Sequence, residues 1–283
     1  MFLSVIIATR NRYKVIKHLH ENLINQIRKP DEIIIVDASD DPNSGYDWFQ
    51  DSWTLKFLFS DEASSTKQRN MGIDMLDAKS EIVAFIDDDV ILNNDFFYLI
   101  EMIYQKDSEK VIAGLGGFVI GEDEDYGPFN KKPVIISGME LYDTKSLYGC
   151  NMTFRKDITG KIKFDENLTL YAFLEDQDYS LAANQYGKVV RTKQAKLKHL
   201  RVNEGRISEK KFGFALLGNT YYVMKKHHEP DVKIYVNLGK QICIRFIRAI
   251  FIKKSRHIFE GSLIALIQIF SGKFSPQNII KVI

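Results

Sequence analysis

Two short runs of aliphatic and β-branched residues open the chain, with an amphipathic stretch between them. Residues 3 to 8 form the first run, which ends at Thr9-Arg10-Asn11-Arg12. A helical pattern follows to about Ile27, and Glu32 to Val36 forms the second run, which reads as β-α-β. The same pattern predicts a third strand at Leu55 to Phe59, a helix from about Ser65 to Leu76, and a fourth strand at Ile82 to Ile86 that ends abruptly in acids. Near-continuous apolar strands alternating with helices imply an α/β fold, with a mostly parallel sheet covered on both faces. In such sheets ligands sit at the carboxyl ends of the strands, where Thr9, Asp37 and Asp87 to Asp89 fall.

The middle of the chain is less regular. Gly121 to Pro133 is acidic and bears Gly and Pro, so it reads as a loop, and a strand-like stretch follows at Val134 to Ser137. A helix is predicted over Glu175 to Tyr186, ended by Gly187. From about Asn237 the character changes: Ile242, Ile244, Phe246, Ile247, Ile250 and Phe251 are interleaved with Lys240, Arg245, Arg248, Lys253, Lys254 and Arg256, and a second apolar segment runs from Ser262 to Phe270. Neither segment reaches the roughly 18 uninterrupted apolar residues of a spanning helix. Two readings stand side by side for this tail: a cationic amphipathic helix lying in a membrane interface, or a helical hairpin packed on the domain or in a dimer contact.

Composition narrows the class. With 283 residues, 45% hydrophobic and 27% charged, the chain can bury a large core, which excludes disordered and fibrous classes. Lys and Arg number 39 against 37 Asp and Glu, a net charge of +2 without the footprint of a dedicated nucleic-acid binder. Cys150 and Cys243 lack metal-site spacing and suit a reducing compartment. The apolar opening lacks a basic start and a small-residue cleavage site, so a cytoplasmic protein is expected, peripheral on the inner face of the plasma membrane if the tail binds lipid.

Four clusters carry candidate chemistry. Asp87-Asp88-Asp89 follows a buried strand directly, and three adjacent carboxylates are usually kept together by a hard divalent cation; a solvated turn is the bland alternative. Glu175-Asp176 stands at a predicted helix start, where acids cap and complement the dipole, or where a fixed carboxylate deprotonates a hydroxyl. Lys67 and Arg69 can meet phosphate oxygens or form a solvated helix face. His199, in a cationic stretch after a strand, is a structural residue or completes a cation site beside Asp89.

In this order the segments resemble the family 2 glycosyltransferases. Residues 4 to 12 are similar to the family's first strand and turn, and residues 32 to 39 to its second. Arg69-Asn70-Met71-Gly72 resembles its Arg-Asn-x-Gly helix, and Asp87-Asp88-Asp89 its Asp-x-Asp motif. Gly149 to Met152 looks like the acceptor-side loop, Phe164-Asp165-Glu166 the following turn, Glu175-Asp176 the Glu-Asp motif, and His199 with Gly205-Arg206 the late segment. The resemblance covers about residues 3 to 225 and rests on the ordered series, since each motif alone is weak.

That resemblance implies a GT-A, Rossmann-like domain over residues 1–225 and an amphipathic helical appendage over 226–283. It implies inverting transfer of a sugar from a nucleotide-diphosphate-sugar to an acceptor hydroxyl, with a glycan or lipid-linked acceptor of surface-polysaccharide synthesis and a Mn²⁺ or Mg²⁺ cofactor. Thr9 and Asp37 would contact the base, Asp87 the ribose and the metal shell, and Asp88, Lys67 and Arg69 would belong to the donor site. Asp89 and His199 would ligate the metal, Asn151 would line the sugar pocket, Glu175 would border the acceptor, and Asp176 would be the general base. Where the family often has a second acid after the second strand this chain has Ala38, which keeps thymidine and guanosine donors open beside uridine. Two other readings remain. Val83 to Ile91 loosely resembles the haloacid-dehalogenase phosphatase signature, with Asp87 as nucleophile and Asp89 as acid, although that motif normally opens its domain. A non-catalytic nucleotide- or glycan-binding scaffold is the other, against which the retention of both Asp89 and Asp176 counts.

Overall fold

The structure is a computed structural model and describes residues 1–41, 46, 48–123, 128–202 and 207–283. The chain forms β1 (Leu3–Thr9), α1 (Tyr13–Ile24), β2 (Glu32–Asp37), β3 (Thr54–Phe59), α2 (Ser65–Asp74), β4 (Ile82–Ile86), β5 (Val90–Leu92), α3 (Phe96–Lys106) and β6 (Ile112–Ile120). There follow β7 (Val134–Ile136), β8 (Met139–Asp143), β9 (Asn151–Arg155), α4 (Lys156–Thr159), α5 (Glu175–Ala183), β10 (Lys188–His199), α6 (Glu209–Lys226), α7 (Asp231–Phe251) and α8 (Lys253–Phe270). Contacts divide it into an α/β unit, which holds most of residues 1–164 and 176–205, and a helical unit of residues 64–66, 165–175 and 206–283.

In the α/β unit the strand order is β3-β2-β1-β4-β9-β6-β10-β8-β7, with β5 added on β10. The strands β3, β2, β1 and β4 are parallel, as the apolar runs predict. All residues of β2 and β4 are buried because helices cover both faces, whereas no residue of edge strand β3 is fully buried. Strand alternation sends Val5 and Ile7 into one core with α1 and α3, and Ile6 into the other with α2 and α5. Registers Thr9↔Asp37 and Ile6↔Phe85 bring the carboxyl ends of β1, β2 and β4 to one edge of the sheet. Sequence periodicity did not reveal β9, which runs antiparallel between β4 and β6. It did not reveal α3 or α6 either.

Helix α5 ends at Ala183, three residues short of the predicted Tyr186. Gly187 is not its left-handed cap: a Cβ there would lie 2.7 Å from the Val111 carbonyl oxygen, so the glycine is required by close approach to the start of β6. The predicted loop at Gly121 to Pro133 contains a short 3-10 turn at Pro128–Asn130, with residues 124–127 outside the described residues.

In the helical unit, α6 packs closely along α8 through glycines on both helices. A Cβ at Gly213 would stand 2.0 Å from the Ile258 carbonyl oxygen, and one at Gly261 would stand 1.8 Å from that of Lys210. Ser262 Oγ donates to the Gly213 carbonyl at 2.8 Å in the same seam. The core here gathers Phe214, Leu217, Ile234, Leu238, Ala265 and Ile269. The two tail segments thus belong to longer helices, α7 from Asp231 and α8 from Lys253. Helix α7 buries Ile234, Leu238 and Ala249 but leaves Ile244, Phe246, Ile247, Ile250 and Phe251 more than half exposed. No described helix is long and apolar enough to cross a membrane.

Candidate active site

The acids that end β4 part company immediately. Asp88 turns toward β1: Thr9 Oγ1 donates to its Oδ2 at 2.7 Å, and Arg12 Nη1 donates to its Oδ1 at 2.7 Å. Asp88 is buried and its carboxyl is pushed up to about 6 by burial, against the pull of Arg12 and Thr9. Burial likewise pushes the Arg12 guanidinium down, but Asp88 outweighs it and leaves Arg12 above its ordinary value. Arg12 also lies 3.9 Å from Asp89 Oδ2.

Asp87 and Asp89 converge instead with His199, and ligand atoms of the three lie within 4.8 Å of one another. Strand pairing does this. Strand β5 runs antiparallel to β10 with Val90 opposite His199, so the residue before Val90 is carried to the imidazole. His199 Nε2 lies 3.1 Å from Asp89 Oδ1, and its Nδ1 lies 3.6 Å from Glu122 Oε1. Burial pushes the imidazole down, but the bond to Asp89 and the charges of Asp87 and Glu122 outweigh it, so His199 is raised above 6.5. Asp89 is its mirror: burial raises the carboxyl, His199 and the Val202 N–H at 2.9 Å lower it, and the net direction is down. Two carboxylates and an imidazole with one outer partner form a donor set that fits a divalent cation.

Asp176 reaches the same neighbourhood through aromatic packing. Tyr179 is fully buried, stacks on Phe164 at 4.1 Å and meets Phe85 and Phe154 edge-on, which fixes the roll of α5. Asp176 lies three residues earlier and so shares that helix face. Its Oδ2 accepts from the Gly149 N–H at 3.0 Å and its Oδ1 from the Gln177 N–H at 2.7 Å. On the other side of Gly149, Arg69 Nη2 donates to the Gly149 carbonyl at 3.2 Å and to Asp87 Oδ1 at 3.0 Å. Arg69 and Gly149 therefore link the helix-borne carboxylate to the acid cluster. Burial raises the Asp176 carboxyl, against those N–H donors and Arg69.

Other expected site residues are engaged elsewhere. Asp37 is buried, with Oδ1 accepting from the Ser39 N–H and hydroxyl and Oδ2 from Tyr46 at 2.9 Å, so one of about four acceptor positions is left. Lys67 pairs with Asp61 at 2.9 Å and Glu62 at 3.2 Å on the surface. Asn151 is fully buried, and its Oδ1 accepts from the Gly117 N–H at 2.8 Å. Glu175 opens α5, its N–H bonded to the Ala172 carbonyl. Gly205-Arg206 lies outside the described residues. Sequence reasoning assigns no role to Arg12 or Glu122, and places Gly149 only within the acceptor-side loop. Arg12 was visible as a cation in the first strand-to-helix turn, while Glu122 was one acid among several in a loop.

The mostly parallel sheet covered by helices on both faces is similar to the GT-A glycosyltransferase fold, and comparison with known proteins agrees. The sequence profile of Glycosyl transferase family 2 matches residues 4–163, and the chain belongs to that family. Among curated proteins, the glycosyltransferase GlyG of Streptococcus pneumoniae is 29% identical over 132 residues, which is 45% of this chain and 42% of GlyG. The chain thus spans well under half of that relative's length. Among solved structures, residues 1-349 of S. aureus TarS superimpose with a TM-score of 0.58 at 17% identity, covering 83% of this chain and 68% of that one. The mannosyltransferase PcManGT from Pyrobaculum calidifontis, solved with GDP-Man and Mn²⁺, gives 0.62 at 11% identity, covering 94% and 87%. At these identities the likeness is one of fold.

Proposed function

We propose that this glycosyltransferase is metal-dependent and inverting, and moves a sugar from a nucleotide-diphosphate-sugar to the hydroxyl of a glycan or lipid-linked acceptor in surface-polysaccharide synthesis. The observation that carries it is the convergence of Asp87, Asp89 and His199, joined through Arg69 and Gly149 to Asp176. Asp89 and His199, with Asp87, would hold Mn²⁺ or Mg²⁺, which supplies positive charge to the leaving diphosphate. Arg12 and Arg69 hold the flanking acids in place, and Arg69 is set to meet a phosphate oxygen. Asp176 takes the proton of the acceptor hydroxyl as that oxygen attacks the anomeric carbon from the face opposite the nucleotide, and its burial-raised affinity for a proton suits a base. A single displacement inverts that carbon.

Asp37 keeps one acceptor position for a base, and Thr9 and Asp88 shape the turn beneath it. Asn151 reaches a sugar only by exchanging its bond to Gly117, and Lys67 reaches a phosphate only by leaving Asp61 and Glu62. Glu175 borders the acceptor. Complexes of the structural neighbours with UDP-GlcNAc and with GDP-Man support a nucleotide-sugar donor. Residues 1–225 carry the donor chemistry, and the cationic helices of 226–283 provide a peripheral contact with the inner face of the plasma membrane.

A thermal-shift screen of UDP, GDP and dTDP with and without Mn²⁺ tests the donor site, because a ligand bound only by the folded state raises its stability. At least one nucleotide is expected to stabilise the protein in the presence of Mn²⁺ only. Proton NMR of the first product formed should then show the anomeric configuration opposite to the donor's, and retention would refute single displacement.

A further inference from the structure

The helical unit contains a cavity of about 360 Å³ that the transferase chemistry does not use. Phe212, Leu216 and Ile258 give it an apolar wall, and Arg245, Arg248 and Ser255 line it with polar groups. Arg245 is held from one side only: its Nη2 donates to Gln241 Oε1 at 2.9 Å, while its Nη1 is shut from solvent with no acceptor. Among the described residues, neither Arg245 nor Arg248 pairs with a carboxylate. Burial and the like charge of Arg248 both push the Arg245 guanidinium down.

Two cations line one recess beside an apolar wall, and both burial and the like charge of Arg248 weigh on Arg245. An oxyanion between them removes both penalties, and guanidinium groups match the oxygens of phosphate in a two-point fork. The volume lies in the range of small-molecule sites and is far larger than phosphate alone would fill. Apolar surface continues on α7, where Phe246, Ile247, Ile250 and Phe251 are more than half exposed. Residues 237–283 carry eight Lys and Arg against a single Glu, so the surroundings also favour an anion.

We propose that this cavity binds the phosphate group of a lipid, with Arg245 and Arg248 grasping the oxyanion and Phe212, Leu216 and Ile258 receiving the first carbons of its apolar chain. The site deepens the membrane-contact reading of these helices and does not depend on the acid cluster of the α/β unit.

The test is binding to the full-length chain, read by thermal shift and calorimetry, of dihexanoyl phosphatidic acid below its micelle concentration. Inorganic phosphate and dihexanoyl phosphatidylcholine serve as comparison ligands. Phosphatidic acid is expected to bind saturably, at least tenfold more tightly than either. Arg245→Gln and the more exposed Arg248→Gln should each weaken it at least tenfold, while the shift with nucleotide and Mn²⁺ stays unchanged in both. That unchanged shift reports that the variants are folded and separates failure of this site from failure of the donor site. Absence of saturable binding, equal binding of phosphatidylcholine, equal binding of inorganic phosphate, or wild-type affinity in Arg248→Gln would each overturn the proposal.

Discussion

Arginine is used in opposite ways in the α/β unit and the helical unit. In the former, Arg12 meets Asp88, Arg69 meets Asp87, Arg155 meets Asp107 and Arg191 meets Asp123. In the latter, Arg245 and Arg248 share a cavity with no carboxylate among the described residues. A guanidinium answered within the chain is spent on shape: it cancels a charge the fold has buried and fixes the loop that carries it. One that meets no carboxylate in a recess keeps its charge for an arriving anion. Even within the α/β unit the answer is graded. Arg191 and Asp123 are completely buried and purely architectural, whereas Asp87 stays about one-third exposed and free to exchange partners.

The largest loss is expected at the acid cluster. Asp89→Ala removes one of the three converging side chains proposed to hold the cation and is expected to lower kcat/KM by about 10³, equivalent to the several kcal/mol of charge stabilisation a bound ion would supply, with loss of the Mn²⁺-dependent thermal shift. Asp123→Ala tests the architectural class. Stranding the buried Arg191 should cost about 3 kcal/mol in denaturant unfolding, and a cost near zero would show that the pair does not hold the sheet.

Asp176→Asn should lower kcat by about a hundredfold, in the range of general-base catalysis. The sign of its stability effect is the sharper readout. Because burial raises the folded-state carboxyl above its unfolded value, ionising it works against folding at neutral pH, where the unfolded chain releases the proton more readily. The amide variant is therefore expected to keep or raise Tm at pH 7.5 while losing activity. In the wild type, the base-dependent rate should fall as pH drops through that raised value. A variant with reduced Tm and unchanged kcat would place Asp176 among the structural acids.

The smallest effect is on pH and metal affinity. His199 is raised above 6.5 by Asp89, so without metal its contribution to stability is complete below the unfolded value and is lost as pH rises through the folded one. Cation binding runs the other way, since the imidazole must shed its proton. Mn²⁺ affinity measured by calorimetry should rise about tenfold per pH unit up to the folded value and then level off. His199→Gln should flatten that slope.

The strands β1, β2 and β4 were legible because their residues are buried on both faces, so the local run is itself the signature. The glycine-rich β6 and the short β9 carry no such signature, because their burial comes from neighbours supplied by distant parts of the chain. Helix α6 stayed hidden for a related reason: its close approach to α8 rests on glycines, which score as helix breakers in isolation. The acid triplet was conspicuous in the sequence, but nothing local indicated that its middle member turns to Thr9 and Arg12 while the outer two face His199. Lys67, conspicuous for the same reason, is taken up by Asp61 and Glu62.

Residue order and period were enough to show the alternation of strands and helices, the edge of the sheet at which acids collect, and the family. Which charges meet follows from packing. Asp89 finds His199 through the antiparallel register of β5 on β10, and Asp176 finds Gly149 because Tyr179 locks the roll of α5. Electrostatic partnership depends on distances of a few ångströms between atoms far apart along the chain, and those distances are set by packing.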